Sequence, residues 1–220
     1  MPVEAVIFDL DGVLVDSEQA WMEAKRRLTI ESGGRWEAGA GSAMLGMSST
    51  EWSRYMHQHL AVPILADDIS SAVVARMTDL YSKRLPLVRG AQAAVERLAR
   101  WWPLGLASSS NRPVIDLVLR LAGWGKLFKA TVSSEEVVRG KPAPDVYLEA
   151  AELLGVDPRR SVAIEDSHNG VLSAKAAGLR VIAIPNPDFP PRGDALAAAD
   201  RVLSSIDDLN ESVVSDSAPP

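Results

Sequence analysis

The chain of 220 residues holds 23 Lys and Arg against 29 Asp and Glu, a formal net charge of -6, and contains no cysteine. That balance argues against nucleic acid or an anionic membrane as the main partner, and the lack of thiols excludes disulfides, thiolate metal sites and cysteine nucleophiles. The length suits one core plus one inserted subdomain. With no signal-like segment and no apolar run near the roughly 20 residues of a spanning helix, a soluble cytoplasmic protein is expected, compatible with a monomer.

The first apolar run, Val3 to Phe8, predicts a short buried strand that ends in Asp9-Leu10-Asp11-Gly12. From residue 18 to about 85 the period becomes helical. Ala20, Trp21, Ala24 and Leu28 recur at helix spacing, as do Ile69, Val73, Val74, Met77, Leu80 and Tyr81, and Ser48-Ser49-Thr50-Glu51 has the form of an N-terminal cap. No strand pattern interrupts this stretch, which reads as a helical insertion.

Beyond Pro86 the rhythm alternates. Helices are predicted over 91–100, 114–122, 145–154 and 170–177, and strands over 104–107, 130–132, 161–164, 180–184 and 201–203. Strands and helices of these lengths imply right-handed crossovers and a parallel α/β sheet that includes the opening strand. The serine-rich stretch from Ser212 has no apolar periodicity, so residues 215–220 are expected to form a disordered tail.

Parallel strands bring their C-terminal ends to one sheet edge, so Asp9, Asp11, Ser108, Lys141, Glu165 and Asp166 can converge. Three or four carboxylates in so small a volume need a compensating cation or protons, and oxygen ligands of this kind suit a divalent ion, Mg2+ first. A lysine, a serine hydroxyl and the amides of Ser109, Ser110 and Asn111 at a helix start complete a site built for a phosphoryl group. Pro113 suits the first turn of that helix, where its missing N–H is harmless.

Asp9-Leu10-Asp11-Gly12-Val13-Leu14-Val15-Asp16-Ser17-Glu18 resembles the first motif of the haloacid dehalogenase superfamily. Ser108 is similar to its second motif, Lys141 in Gly140-Lys141-Pro142 to its third, and Glu165-Asp166 to its fourth. The resemblance spans residues 3 to about 205 and is nearest to phosphatases resembling β-phosphoglucomutase. It implies a Rossmann-like core over 1–15 and 87–214, with helices on both faces of a parallel sheet, and an α-helical cap over 16–86. It also implies Asp9 as the nucleophile of an aspartyl-phosphate mechanism and Asp11 as the acid and base. Ser108, Ser109 and Lys141 would hold phosphate, and Asp9, Asp11, Glu165 and Asp166 would hold Mg2+, Asp11 through its backbone carbonyl. The expected substrate is a small phosphorylated metabolite, with Trp21, Leu45, Met47, Ser110 and Asn111 as candidates for reading its leaving group.

Retention of Asp11 separates the chain from the dehalogenase and phosphonatase branches, where an acid is lacking at that position. A sugar-phosphate mutase is the nearer rival. Leu45 and Ser49 stand where the mutase carries a lysine and an arginine, and Trp21 where it carries a histidine. A non-enzymatic phosphometabolite-binding protein would require the whole acidic set to be idle. His57, His59 and Asp207-Asp208 read as surface residues, Trp101-Trp102 as packing, and His168 as part of a helix cap.

Overall fold

The computed structural model describes residues 2–44, 47–187, 190–191 and 193–216. Strand β1 (Ala5–Phe8) is followed by four helices, α1 (Glu18–Glu31), α2 (Ala40–Ala43), α3 (Ser49–Gln58) and α4 (Ala66–Lys83). Alternation then sets in: α5 (Ala91–Leu98), β2 (Leu104–Ser108), α6 (Arg112–Leu121), β3 (Phe128–Ser133), α7 (Asp145–Leu154), β4 (Ser161–Glu165), α8 (His168–Ala176), β5 (Arg180–Ala183), α9 (Gly193–Ala198) and β6 (Arg201–Val202). Helix α10 (Glu211–Asp216) closes the described chain.

All strand pairs are parallel, and the order is β3-β2-β1-β4-β5-β6. Four consecutive buried residues make β1 a central strand covered on both faces. Ile7 packs with Ala163, Val181, Tyr147 and Val171 on one side of the sheet; Val6 and Phe8 pack with Leu106, Val114 and Val118 on the other. In register, Phe8 lies between Leu106 and Ile164. The Asp9 N–H then donates to the Ile164 carbonyl at 2.9 Å, which carries the ladder one residue further and delivers Asp9 beside Glu165. Because the sheet is extended in opposite directions from β1, this edge is a topological switch point, where open α/β sheets bind their ligands.

The helical insertion leaves and re-enters on adjacent strands of chain. Asp16 N–H donates to the Pro86 carbonyl (2.8 Å) and Val88 N–H to the Leu14 carbonyl (3.0 Å). Helix α3 opens on the expected cap, with Ser48 N–H donating to Glu51 Oε2 at 2.8 Å and Glu51 N–H to Ser48 Oγ at 3.4 Å. Among the described residues no helix is long and apolar enough to cross a membrane.

Several boundaries differ from the sequence expectation. Strand β3 is longer at both ends, α6 begins at Arg112, and α8 begins at His168 because Ser167 Oγ accepts the Gly170 N–H at 3.1 Å. Helices α2 and α9 had no periodic signal to announce them. The expected tail is corrected as far as Asp216: Asn210 Oδ1 accepts the Val213 N–H at 3.1 Å, Val214 is buried, and one short helix results. Residues 217–220 of that expectation, and Leu45, lie outside the described residues. Trp102 packs and donates its indole N–H to the Val3 carbonyl at 3.2 Å, whereas Trp101 is 57% exposed, against the expectation that both pack.

Candidate active site

The turn after β1 is folded on itself: Leu14 and Val15 N–H both donate to the Leu10 carbonyl, at 2.9 and 3.0 Å, and Gly12 N–H to the Val15 carbonyl at 2.8 Å. Gly12 has φ +80, and a Cβ there would overlap Asp166 Oδ2. Only glycine lets the first acidic loop and the loop after β4 close on each other.

Lys141 lies between the two loops. Its Nζ donates to Asp9 Oδ1 at 2.7 Å and to Glu165 Oε1 at 2.6 Å, and Tyr147 OH donates to the same Glu165 oxygen at 2.7 Å. Glu165 Oε2 accepts from Asp166 N–H (3.2 Å), Ser167 N–H (3.3 Å) and Ser167 Oγ (3.1 Å). Gly170, in the first turn of α8, leaves room for that carboxylate; a Cβ would overlap it. Sequence reading missed both Tyr147 and Gly170. Tyr147 had a signal, since it sits on the buried stripe of the helix that Lys141 precedes.

Burial pushes the Asp9 carboxyl up to about 8, with Glu165 and Asp11 adding to the rise and Lys141 opposing it. Lys141 thus favours the Asp9 anion as expected, but burial outweighs it. Asp166 is raised well above the usual carboxylate range by burial and then by Asp9 and Glu165. Burial opposes the Lys141 charge, yet Asp9 and Glu165 outweigh that and hold its ammonium above the ordinary value.

Three carboxyl groups around one ammonium cannot all ionise in a buried site without further positive charge, and burial with mutual repulsion is the cause of the rise at Asp9 and Asp166. One oxygen from each of Asp9, Glu165 and Asp166 lies within 4.8 Å of the others, and Asp166 Oδ1 is buried with no hydrogen-bond partner. Such a donor set fits a hard divalent cation. Asp9 and Asp166 have the freer oxygens, whereas Glu165 is occupied by five donors.

Asp11 is held on both sides: Trp21 Nε1 donates to its Oδ1 at 3.0 Å and Ser110 Oγ to its Oδ2 at 2.6 Å. Ser108 is fully buried, and its hydroxyl accepts the Ser110 N–H at 2.9 Å, so it shapes the turn from behind the cleft wall. Ser109, Ser110 and Asn111 face the cleft. Asn111 Nδ2 donates to Glu135 Oε1 at 2.6 Å, and Ser49 Oγ from α3 donates to that oxygen at 3.0 Å.

The cleft has Asp9, Asp11, Lys141 and Asp166 on its sheet side. Opposite them the insertion presents Trp21, Met44, Met47, Trp52 and, unanticipated by sequence, Lys25. Trp21, Met47, Ser110 and Asn111 all line the cleft. Lys25 was detectable in principle, being four residues after Trp21 on one helix face. His168 does not line the cleft; its Nδ1 is 3.6 Å from Asp194, and His57, His59, Asp207 and Asp208 are exposed.

A family model described as haloacid dehalogenase-like hydrolase matches residues 3–178. The chain is 35% identical over 213 residues to hexitol phosphatase B of Escherichia coli, covering 93% of each. It is 31% identical over 209 residues to the bifunctional riboflavin kinase/FMN phosphatase of Arabidopsis thaliana, where 93% of this chain spans only 54% of that protein. The fold of CbbY from Rhodobacter sphaeroides, solved in complex with phosphate, superposes with a TM-score of 0.86 at 28% identity, covering 97% of this chain and 99% of that one. Sequence, sheet order and acidic cluster agree, and the chain belongs to the haloacid dehalogenase-like hydrolases.

Proposed function

We propose that this hydrolase is a Mg2+-dependent phosphomonoesterase acting on a small organic phosphate, a sugar phosphate or similar metabolite, in the cytoplasm. The observation that carries the reading is the meeting of Asp9, Lys141 and Asp166 at the end of β1, with Asp11 beside them in the same cleft, held by Trp21 and Ser110. Phosphatase-named relatives such as hexitol phosphatase B support it.

An Asp9 carboxylate oxygen attacks phosphorus, and the bond from phosphorus to the ester oxygen breaks as Asp11 gives that oxygen its proton. Asp11, now a carboxylate, removes a proton from water, which attacks the aspartyl phosphate. Phosphate leaves, Asp9 is regenerated and Asp11 regains its proton. Lys141, the Ser109 amide and the turn set by Ser108 hold the phosphoryl oxygens as their charge redistributes. Asp9 and Asp166, with Glu165 adjacent and Asp11 through its carbonyl, would hold Mg2+, which would supply neutralisation of the carboxylates and of the phosphoryl charge. Residues 16–86 act as a cap that excludes bulk water and carries the leaving-group contacts.

Two observations favour hydrolysis over mutase chemistry. Trp21, where the mutase resemblance has histidine, is committed to Asp11, and Ser49, where it has arginine, is committed to Glu135. Asp9→Asn is expected to abolish release of phosphate from p-nitrophenyl phosphate while the far-UV spectrum stays unchanged. Undiminished turnover in that variant overturns the reading.

A further inference from the structure

Lys25 has no direct ion-pair partner among the described residues. It projects from α1 into the cleft and is 9% exposed, yet among the described residues its ammonium has no hydrogen-bond acceptor and no carboxylate at ion-pair distance. Its neighbours are indole faces, with Nζ 4.9 Å from the Trp52 ring centre and 5.7 Å from that of Trp21. Those rings give a favourable but partial substitute for water. Glu18 and Asp11 act on it only through space, and burial still pushes it down to about 8. The other cation lining the cleft, Lys141, is already committed to Asp9 and Glu165.

The two ends of the cleft are therefore built differently. The sheet end has its lysine bound by two carboxylates, with one ammonium donor left for the phosphoryl group, whereas the insertion end presents three ammonium donors that are unused among the described residues, between two tryptophans. A neutral hydroxyl would accept one of those hydrogen bonds without cancelling the charge. An anionic oxygen does both.

We propose that Lys25, framed by Trp21 and Trp52, is a specificity-determining residue that binds a second anionic group on the leaving-group portion of the substrate, a carboxylate or a second phosphate. This rests on the reading that the cleft hydrolyses phosphate esters. The indole faces pack against the carbon skeleton between the two anions, and Glu18, which also lines the cleft, discriminates against groups that approach off the Lys25 axis by charge repulsion.

The test compares kcat/KM of the Mg2+-loaded wild type, Lys25→Met and Lys25→Arg for three esters: glycerol 3-phosphate as the neutral leaving group, 3-phosphoglycerate for a carboxylate, and fructose 1,6-bisphosphate for a second phosphate. Wild type is expected to prefer at least one anionic ester over the neutral one. Lys25→Met should reduce that preference about tenfold or more, the loss from removing a charge-assisted hydrogen bond, and Lys25→Arg should restore part of it. The arm that responds identifies the anion. A preference ratio unchanged by Lys25→Met, or a wild type that favours the neutral ester, overturns the assignment while an inactive Asp9→Asn leaves the phosphatase reading standing. Ester turnover that survives Asp9→Asn overturns that reading and this assignment with it; a wild type that hydrolyses p-nitrophenyl phosphate but shows no turnover of either anionic ester overturns the assignment alone.

Discussion

Trp21, on the first helix of the insertion, donates its indole N–H to Asp11 Oδ1 at 3.0 Å, so a residue of the insertion helps to aim the carboxylate at the sheet edge. With Ser110 Oγ on the other oxygen, the carboxylate plane is fixed from two elements that are distant in sequence. If Asp11 protonates the leaving oxygen, its aim matters most where that oxygen needs a proton. Trp21→Phe keeps the ring and removes the donor. It should lower kcat/KM about tenfold for an alkyl phosphate and markedly less for p-nitrophenyl phosphate, whose leaving group departs as a stable anion. An equal fall for both esters would show that the indole only packs.

The approach of the two acidic loops depends on Gly12. An alanine there meets two separate obstacles, a positive φ of +80 and the Asp166 carboxylate. Gly123 provides the comparison, because its φ is +72 while the space around it is open. Gly123→Ala should cost about 1 kcal/mol in urea unfolding through the backbone alone. Gly12→Ala should cost more and also raise the Mg2+ concentration required for half-maximal turnover at least about tenfold, since Asp166 must move away. Identical behaviour of the two variants would mean that the loops tolerate separation.

The sheet was legible because β1, β2, β4 and β5 are short apolar runs with nothing but buried positions, and because the acids and hydroxyls stand just after them. Asp9, Lys141, Glu165 and Asp166 were found from residue type and position, and they do meet. What escaped was anything that depends on a partner from another element. The Ser108 hydroxyl also accepts the Ser110 amide N–H, a contact the one-dimensional reading did not contain and one that leaves its own O–H to donate. Lys25 sits among Trp21, Ala24 and Leu28, and only the placement of Trp52 from α3 turns that position into the wall of a cleft. Helix α10 escaped because six residues are too few to display a period, although the Asn210 cap was there to read.

A second carboxylate, Glu135, also ties the insertion to the sheet layer. Glu135 accepts from Ser49 Oγ and Asn111 Nδ2 on one oxygen and from the Arg112 N–H at 3.3 Å on the other. Asn111 also lines the cleft, so the tie sets the distance between the two walls. Glu135→Ala should destabilise the fold by about 1–3 kcal/mol and raise KM more than it lowers kcat, because it leaves Asp9, Asp11 and Lys141 untouched. A fall in kcat with constant KM would place Glu135 in the chemistry instead.

The cost of holding Lys25 in the cleft can be measured without any substrate. Burial lowers its ammonium from 10.5 to about 8, with Glu18 and Asp11 partly offsetting the effect. A lysine more readily deprotonated in the folded chain than in the unfolded one weakens folding fully below pH 8. Between pH 8 and 10.5 the folded form gives up its proton first and the penalty fades, so stability attributable to this residue rises with pH. Lys25→Met removes the charge and keeps a flexible apolar stem of similar reach. The variant should be more stable than wild type by about 1–3 kcal/mol at pH 7, with the gain shrinking as urea midpoints are compared at pH 8, 9 and 10. A constant gain across that range would assign it to packing, and a loss at pH 7 would mean that Lys25 contributes to the fold. A gain that fades with pH identifies a charge retained at the expense of stability, which is what a residue kept for binding an anion requires.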